Sequence, residues 1–213
     1  MNITQDNILI KRSSKQFIDK LLNQNPDWKV LDIGCGYTAH KNATVICDIQ
    51  DLSNFYNDKN FVKLDGNILP FKDNEFDFVI ASHVIEHVKD VKTFIKELSR
   101  VSSKGYIELP TILEDNLVFE NKKDHIWHME FDDIENKLNI SEKIQYLEPV
   151  ITVSTSKKFS KIFRQSLVLE LYWEENIEFN LIQKNKNDFQ KISRLTLFRK
   201  FLSKHLRNIL RKN

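Results

Sequence analysis

The chain has 213 residues, of which 41% are hydrophobic and 29% charged, with a formal net charge of +2. This is globular composition, which excludes disorder over most of the length and fits one domain with an elaboration. No apolar run approaches the roughly 18 residues of a membrane span, and the polar stretch from Met1 to Gln16 lacks the apolar core of a secretory signal. Two cysteines, Cys35 and Cys47, are too few for a disulfide framework. The expected location is the cytoplasm.

The small net charge hides an asymmetry. Residues 191–213 carry eight Lys and Arg and no acid, leaving 24 basic against 30 acidic residues in the rest. A body with a net charge of about −6 is no nucleic-acid surface. Glycine is scarce, with only Gly34, Gly36, Gly66 and Gly105. Those four are expected where backbone geometry or close approach demands them.

In chain order, Ser13-Ser14 followed by Phe17, Ile18, Leu21 and Leu22 predicts a capped amphipathic helix ending before Pro26. Trp28 to Ile33 reads as a strand running into Gly34-Cys35-Gly36. Thr44 to Ile49 is a second strand and Phe61 to Leu64 a third. Phe76 to Ser82 is apolar almost throughout, as in a strand buried on both faces. Asp90 opens a helix with Val91, Phe94, Ile95, Leu98 and Val101 at helical spacing. Gly105 to Leu109 is a fifth strand. Strands alternating with helices predict a parallel, doubly wound sheet. The segment Thr111 to Lys143 reads as an irregular insertion over the sheet edge, and Leu167–Trp173 with Ile177–Ile182 as an antiparallel hairpin. Ile192, Leu195, Phe198, Leu202, Leu206, Ile209 and Leu210 give the basic tail a helical apolar stripe. A cationic amphipathic helix fits the interface of an anionic membrane, and packing on the acidic body is the alternative.

Two glycines at a strand's carboxyl tip let a ligand approach the backbone. Thr38 and Ala39 fill the place of a third glycine, and Tyr37 to Ala43 is too short for a full crossover helix. Both points count against a dinucleotide cradle. Asp48 ends the second strand, where a carboxylate can accept ribose hydroxyls, and Asp65-Gly66-Asn67 follows the third.

With Leu69-Pro70-Phe71, Phe76 to Ile80 and Ser82-His83-Val84-Ile85-Glu86-His87, these motifs make residues 28–143 resemble the class I S-adenosylmethionine-dependent methyltransferases. Gly105 to Pro110, Glu114 and His125-Ile126-Trp127-His128 resemble, more specifically, members found among surface-polysaccharide genes. The resemblance implies an α/β, Rossmann-like, doubly wound seven-stranded and mostly parallel sheet with an antiparallel final hairpin. It implies S-adenosylmethionine as cofactor and S-adenosylhomocysteine as product. Asp32, Gly34 and Gly36 would shape the methionine pocket, Asp48 would hold the ribose, and Asp65 with Gly66 or Asn67 the adenine. Ser82 and His83 would line the sulfonium side.

Methyl transfer to a hydroxyl needs orientation and a base. His87 is the first candidate and His83 the second. Trp127 could stack on a sugar ring, with Glu108, Glu114 or His125 bonding hydroxyls, or the same residues could form an aromatic lid over the sheet edge. His83-x-x-Glu86-His87 is also similar to the E-x-x-E-H metal motif of small-RNA and quinone-precursor methyltransferases. His83 stands where that motif has Glu, and spacing does not say whether His125 or His128 reaches the site, so no residue is assigned to a metal.

The expected protein is a methyltransferase domain over residues 1–190, with a lid at 111–143, and a basic helix at 191–213. It would O-methylate a glycan or glycolipid precursor, with possible peripheral contact with an anionic membrane. The alternatives are a non-catalytic binding module and a metal-assisted enzyme acting on RNA or a quinone-type precursor.

Overall fold

The computed structural model describes residues 9–185 and 191–210, with side chains through residue 207. Its centre is a seven-stranded sheet. The strands are β1 (Ile10–Arg12), β2 (Val30–Ile33), β3 (Val45–Asp48), β4 (Asn60–Lys63), β5 (Phe78–Ser82), β6 (Lys104–Pro110) and β9 (Val168–Glu174), in the spatial order β1-β9-β6-β5-β2-β3-β4. From β4 to β6 every pairing is parallel, while β9 runs antiparallel to both β6 and β1.

Both faces of the sheet are covered, which is why its central strands carry unbroken apolar runs. Helix α1 (Lys15–Gln24) starts at Ser14, whose side chain accepts from the Phe17 amide. It lays Ile18 and Leu22 against Val30, Phe78, Ile80, Tyr106 and Tyr172. Helix α2 (Val91–Val101) starts at Asp90, which accepts from Thr93. It buries Phe94, Ile95 and Leu98 with Leu31, Ile33, Val79, Ala81 and Ile107. Alternate residues of β2, β5 and β6 thus feed opposite faces, and each fully buried Ile, Leu or Phe contributes about 1.5–3 kcal/mol. Close approach explains Gly105. A Cβ there would stand 2.4 Å from the Val79 carbonyl oxygen and 2.8 Å from the Trp173 ring.

The connection from Gly34 to Thr44 contains no helix, as its length predicts. An antiparallel pair closes the sheet edge, but its strands are not consecutive in the chain. The segment Ile177–Ile182 does not fold back on β9. Glu175 adopts φ +62°, and β10 (Phe179–Ile182) leaves to pair in parallel with β8 (Lys137–Glu142) in a second sheet. The edge slot goes to β1, which has one buried residue, Ile10. Three residues are too few for a periodic pattern.

The insertion is more regular than expected. It holds α3 (Ile112–Leu117), α4 (Asn121–Asp124) and a hairpin of β7 (Trp127–Asp132) with β8. Its inward residues, Met129, Leu138 and Ile140, are diluted by polar neighbours, and the turn uses Asn136 at φ +56° in place of a glycine. Helix α5 (Val153–Leu167) was also hidden from pattern reading. Only Ser156 and Leu167 are buried, so it has no inward apolar stripe.

Helix α6 (Arg194–Leu210) joins the body at its start. Ile192 bridges to Leu147, and the Arg194 amide donates to Glu148 Oε2 at 3.0 Å. Beyond that point Leu195, Phe198, Phe201, Leu202 and Leu206 are exposed. The Ile209 and Leu210 side chains, Arg211, Lys212 and the stretch from Met1 to Ile8 lie outside the described residues.

Candidate functional site

At the carboxyl tip of β2 the chain turns through Gly34 at φ +65° and Gly36 at φ +48°, conformations that L side chains adopt only under strain. A Cβ on Gly36 would meet no atom within 4 Å, and the same holds at Gly66 after β4. Both backbones therefore have open space for a ligand.

Side chains hold this turn where a crossover helix is missing. Asp48 Oδ2 accepts from the Gly36 amide at 2.9 Å and its Oδ1 from the Gln50 amide at 2.9 Å. The Tyr56 hydroxyl donates to the Gly36 carbonyl at 2.9 Å and accepts from the Ala39 amide at 3.0 Å. Asp32 Oδ2 accepts from the His40 amide at 2.7 Å, and His40 Nε2 meets Asp19 Oδ1 of α1 at 2.8 Å. Tyr56 was not found by sequence reasoning, because a single tyrosine in a polar loop belongs to no motif. Burial pushes the Asp32 carboxyl up to about 6, against the lowering effect of the His40 amide. Asp65 is exposed, 3.6 Å from Lys63 Nζ.

A second cluster follows β5. Ser82 is half-buried, and His83 takes the left-handed conformation at φ +56°, held by its amide donating to the Glu108 carbonyl at 2.9 Å. His83 Nδ1 stands 3.3 Å from Oε1 of the fully buried Glu86. Burial opposes a charge on this imidazole, but the Glu86 carboxylate outweighs it and holds the ring above its usual pKa. His87 Nδ1 donates to the Asp124 carbonyl at 2.9 Å, and His125 Nδ1 pairs with Asp115. The His87 and His125 rings meet edge to face at 4.6 Å. His128 turns inward and is buried, with Nε2 3.6 Å from Asp115 Oδ2. Burial drives its pKa down to about 4, so it is neutral at physiological pH.

Beside these groups opens a cavity of about 880 Å³. Lys15, Asp19, Thr38 and His40 line one side, Ser82, His83, Glu108, Glu114 and His125 another, and Ser156, Lys157, Ser160 and Arg164 of α5 a third. Glu108 pairs with Arg164 and accepts from Tyr106, while Glu114 accepts from Ser156 Oγ at 2.8 Å. Of the two expected bases, His83 lines this cavity and His87 is not among its lining residues. Trp127 is not there either. Its indole donates to the Val88 carbonyl at 2.8 Å, so its ring packs beside the core and does not face a bound sugar in the cavity.

A methyltransferase domain model matches residues 31–107, the span from β2 to β6. An uncharacterized protein of Methanocaldococcus jannaschii is 30% identical over 189 residues, covering 80% of this chain and 79% of that one. The demethylmenaquinone methyltransferase of Corynebacterium glutamicum is 31% identical over 115 residues, about half of each protein (49% and 48%). Among solved structures, a protein of Pyrococcus horikoshii superposes with a TM-score of 0.41 at 17% identity, over 79% of this chain and 93% of that one. The chain belongs to one family with the M. jannaschii protein, and over residues 31–107 it matches a methyltransferase domain, for which the sequence resemblance implies S-adenosylmethionine as cofactor.

The residues present fit that cofactor. Gly36 and Gly66 leave room over their backbones. Each Asp48 oxygen holds one amide bond and keeps a second lone pair for a ribose hydroxyl.

Asp32 gives a test of the turn's electrostatics. Its carboxyl titrates near 3.8 when unperturbed and at about 6 in the fold, so the folded chain holds the proton more tightly. Stability therefore falls as pH rises from about 4 to 6, and above pH 6 the ionised group costs at most about 3 kcal/mol. Asp32→Asn keeps an acceptor for the His40 amide and removes the charge. We expect a higher melting temperature than wild type at pH 7.5, a gap that has shrunk to about half by pH 5 and closes below about pH 4, and weaker S-adenosylhomocysteine binding. A lower melting temperature at pH 7.5 would contradict this account.

Proposed function

We propose that the enzyme transfers a methyl group to a hydroxyl of a polyhydroxylated acceptor, a glycan or glycolipid precursor of the cell surface. The observation that carries this reading is the lining of the 880 Å³ cavity. Its walls bring together serines, carboxylates, imidazoles and cationic side chains, groups that hydrogen-bond to sugar hydroxyls. A flat quinone-type ring calls for apolar walls. The relative named as acting on demethylmenaquinone matches only over about half its length.

S-adenosylmethionine supplies a methyl group bound to a sulfonium sulfur, an excellent leaving group. The protein's share is orientation and proton removal. In this reading Asp32, Gly34 and Gly36 bound the methionine portion, Asp48 holds the ribose, and Asp65, Gly66 and Asn67 meet the adenine. Ser82 and His83 border the sulfonium and the acceptor together. With Nδ1 turned to Glu86, His83 presents Nε2 as the base that takes the hydroxyl proton.

The test is transfer of labelled methyl groups to nucleotide sugars and lipid-linked glycans, with quinone precursors and RNA in parallel. Labelling of the sugar-containing acceptors alone is expected, and labelling of a quinone precursor or RNA alone would replace this reading. Asp48→Ala should weaken S-adenosylhomocysteine binding tenfold to a hundredfold, or about 1.5–3 kcal/mol. Equal affinity by calorimetry would remove Asp48 from the site, and no binding by wild type would favour a non-catalytic module.

The same reading places α6 on an anionic membrane, where a lipid-linked acceptor resides. Its described apolar side chains are exposed, and it carries Arg199, Lys200, Lys204 and Arg207. Each cation near such a surface contributes about 1 kcal/mol. The full chain should float with liposomes in proportion to their anionic lipid content at low salt, and a chain truncated after Gln190 should not. Equal flotation of both, or of neither, would remove the membrane from the proposal.

A further inference from the structure

The carboxylate that orients His83 sits in surroundings that a histidine base alone does not explain. Glu86 is fully buried, yet neither of its carboxylate oxygens receives a hydrogen bond among the described residues. His83 Nδ1 is the polar group beside it, at 3.3 Å from Oε1. A desolvated carboxylate held this way is costly unless a cation compensates it.

Two imidazoles stand beside Glu86, each with Nδ1 engaged by an oxygen. His87 Nδ1 is bonded to the Asp124 carbonyl, which can only accept, and His125 Nδ1 to the Asp115 carboxylate. In the neutral rings the proton therefore sits on Nδ1 and the lone pair on Nε2. Ligand atoms from Glu86, His87 and His125 all lie within 4.8 Å of one another. Histidines that bind metals are oriented in this way, with the far nitrogen anchored to a carbonyl or carboxylate.

We infer that Glu86, His87 and His125 bind one divalent transition-metal ion, with Asp115 and the Asp124 carbonyl as its outer support. Two imidazoles and one carboxylate favour zinc, cobalt, nickel, iron or manganese over calcium or magnesium. Metal–ligand bonds of about 2.1 Å bring ligand atoms to roughly 3–4 Å apart, so an ion has to draw these groups slightly closer than the 4.8 Å within which they lie. Three protein ligands leave coordination positions open. His125 also lines the cavity, which puts the site next to it. The 83–87 spacing points to Glu86 and His87 but cannot bring in His125. The site depends on the 111–143 segment folding back, with the Ile126 amide donating to the Glu86 carbonyl at 2.8 Å.

The catalytic consequence rests on the methyltransferase reading. An acceptor hydroxyl in an open position would lose its proton more readily, the proton passing to His83. The oxygen then bonds to the donor's methyl carbon as the carbon–sulfur bond breaks, leaving its electron pair on sulfur.

The test loads chelator-treated full-length protein with Co²⁺ alone and reads the visible d–d absorption and the binding isotherm. One equivalent of Co²⁺, displaced by Zn²⁺, is expected. His87→Ala, at an exposed position, and Glu86→Gln, of the same shape, should each weaken binding by tenfold or more. Asp115→Asn should weaken it through the support of His125, and S-adenosylhomocysteine affinity should stay within threefold in all three variants. No saturable Co²⁺ binding, or binding unchanged by both His87→Ala and Glu86→Gln, would overturn the site. If the ion does not bind while the cofactor does, the metal inference alone fails. If the ion binds and the cofactor does not, the methyltransferase reading fails.

Discussion

The turn after β2 has no crossover helix behind it, and the rest of the site depends on how that turn is held. A glycine-containing loop loses more backbone entropy on ordering than any other, so something must fix it. Here the Asp48 carboxylate spans from the Gly36 amide to the Gln50 amide, and the Tyr56 hydroxyl bonds on both sides of the loop. A residue expected only to touch a ribose is therefore a clamp on the backbone of the turn. The charge on Asp32 works in the opposite direction. It is disfavoured by burial, and holding it at the base of the turn is the kind of local cost that binding sites carry.

The cluster after β5 is built by different means. The carboxyl end of β5 runs directly into His83 at φ +56° and then into the 3-10 turn Ile85–His87, which tucks Glu86 under the surface. The segment 111–143 then packs over this turn. The Asp124 carbonyl, the Ile126 amide and the Trp127 indole all bond to residues 86–88. Behind them, Asp115 gathers His125, His128 and Lys143 around one buried carboxylate. Open α/β sheets bind ligands beyond the carboxyl ends of their strands, and here two separate polar systems meet at that edge. One is the β2–β3 clamp and the other the β5–lid network, with the cavity beside both.

Much of this was legible in the sequence, and the physical reasons for the rest are particular. The sheet from β2 to β6 could be read because strands buried on both faces write continuous apolar runs, as in Phe78 to Ala81. Helices α1 and α2 could be read because Ser14 and Asp90 cap amphipathic stripes. Strand β1 could not, since it rests on the single inward residue Ile10, and α5 could not, since its inner face is polar where it lines the cavity. The strand after β9 was visible as a strand, but its partner was not, because pairing depends on the turn at Glu175. In the site, Asp48, Gly36 and His83 follow from strand-end position. The Tyr56 clamp and the approach of His125 to Glu86 and His87 depend on long-range folding that no local spacing records.

The account's central claim is that a cofactor lies across the clamped turn and presents its sulfur to the cavity beside His83. A crystal structure with S-adenosylhomocysteine tests it most directly. The account predicts both ribose hydroxyls within hydrogen-bond distance of Asp48 and the adenine beside Asp65–Asn67. It also predicts the thioether sulfur between Ser82 or His83 and the cavity. A ribose held by other residues, or a sulfur pointing away from the cavity lined by His83 and His125, would contradict it.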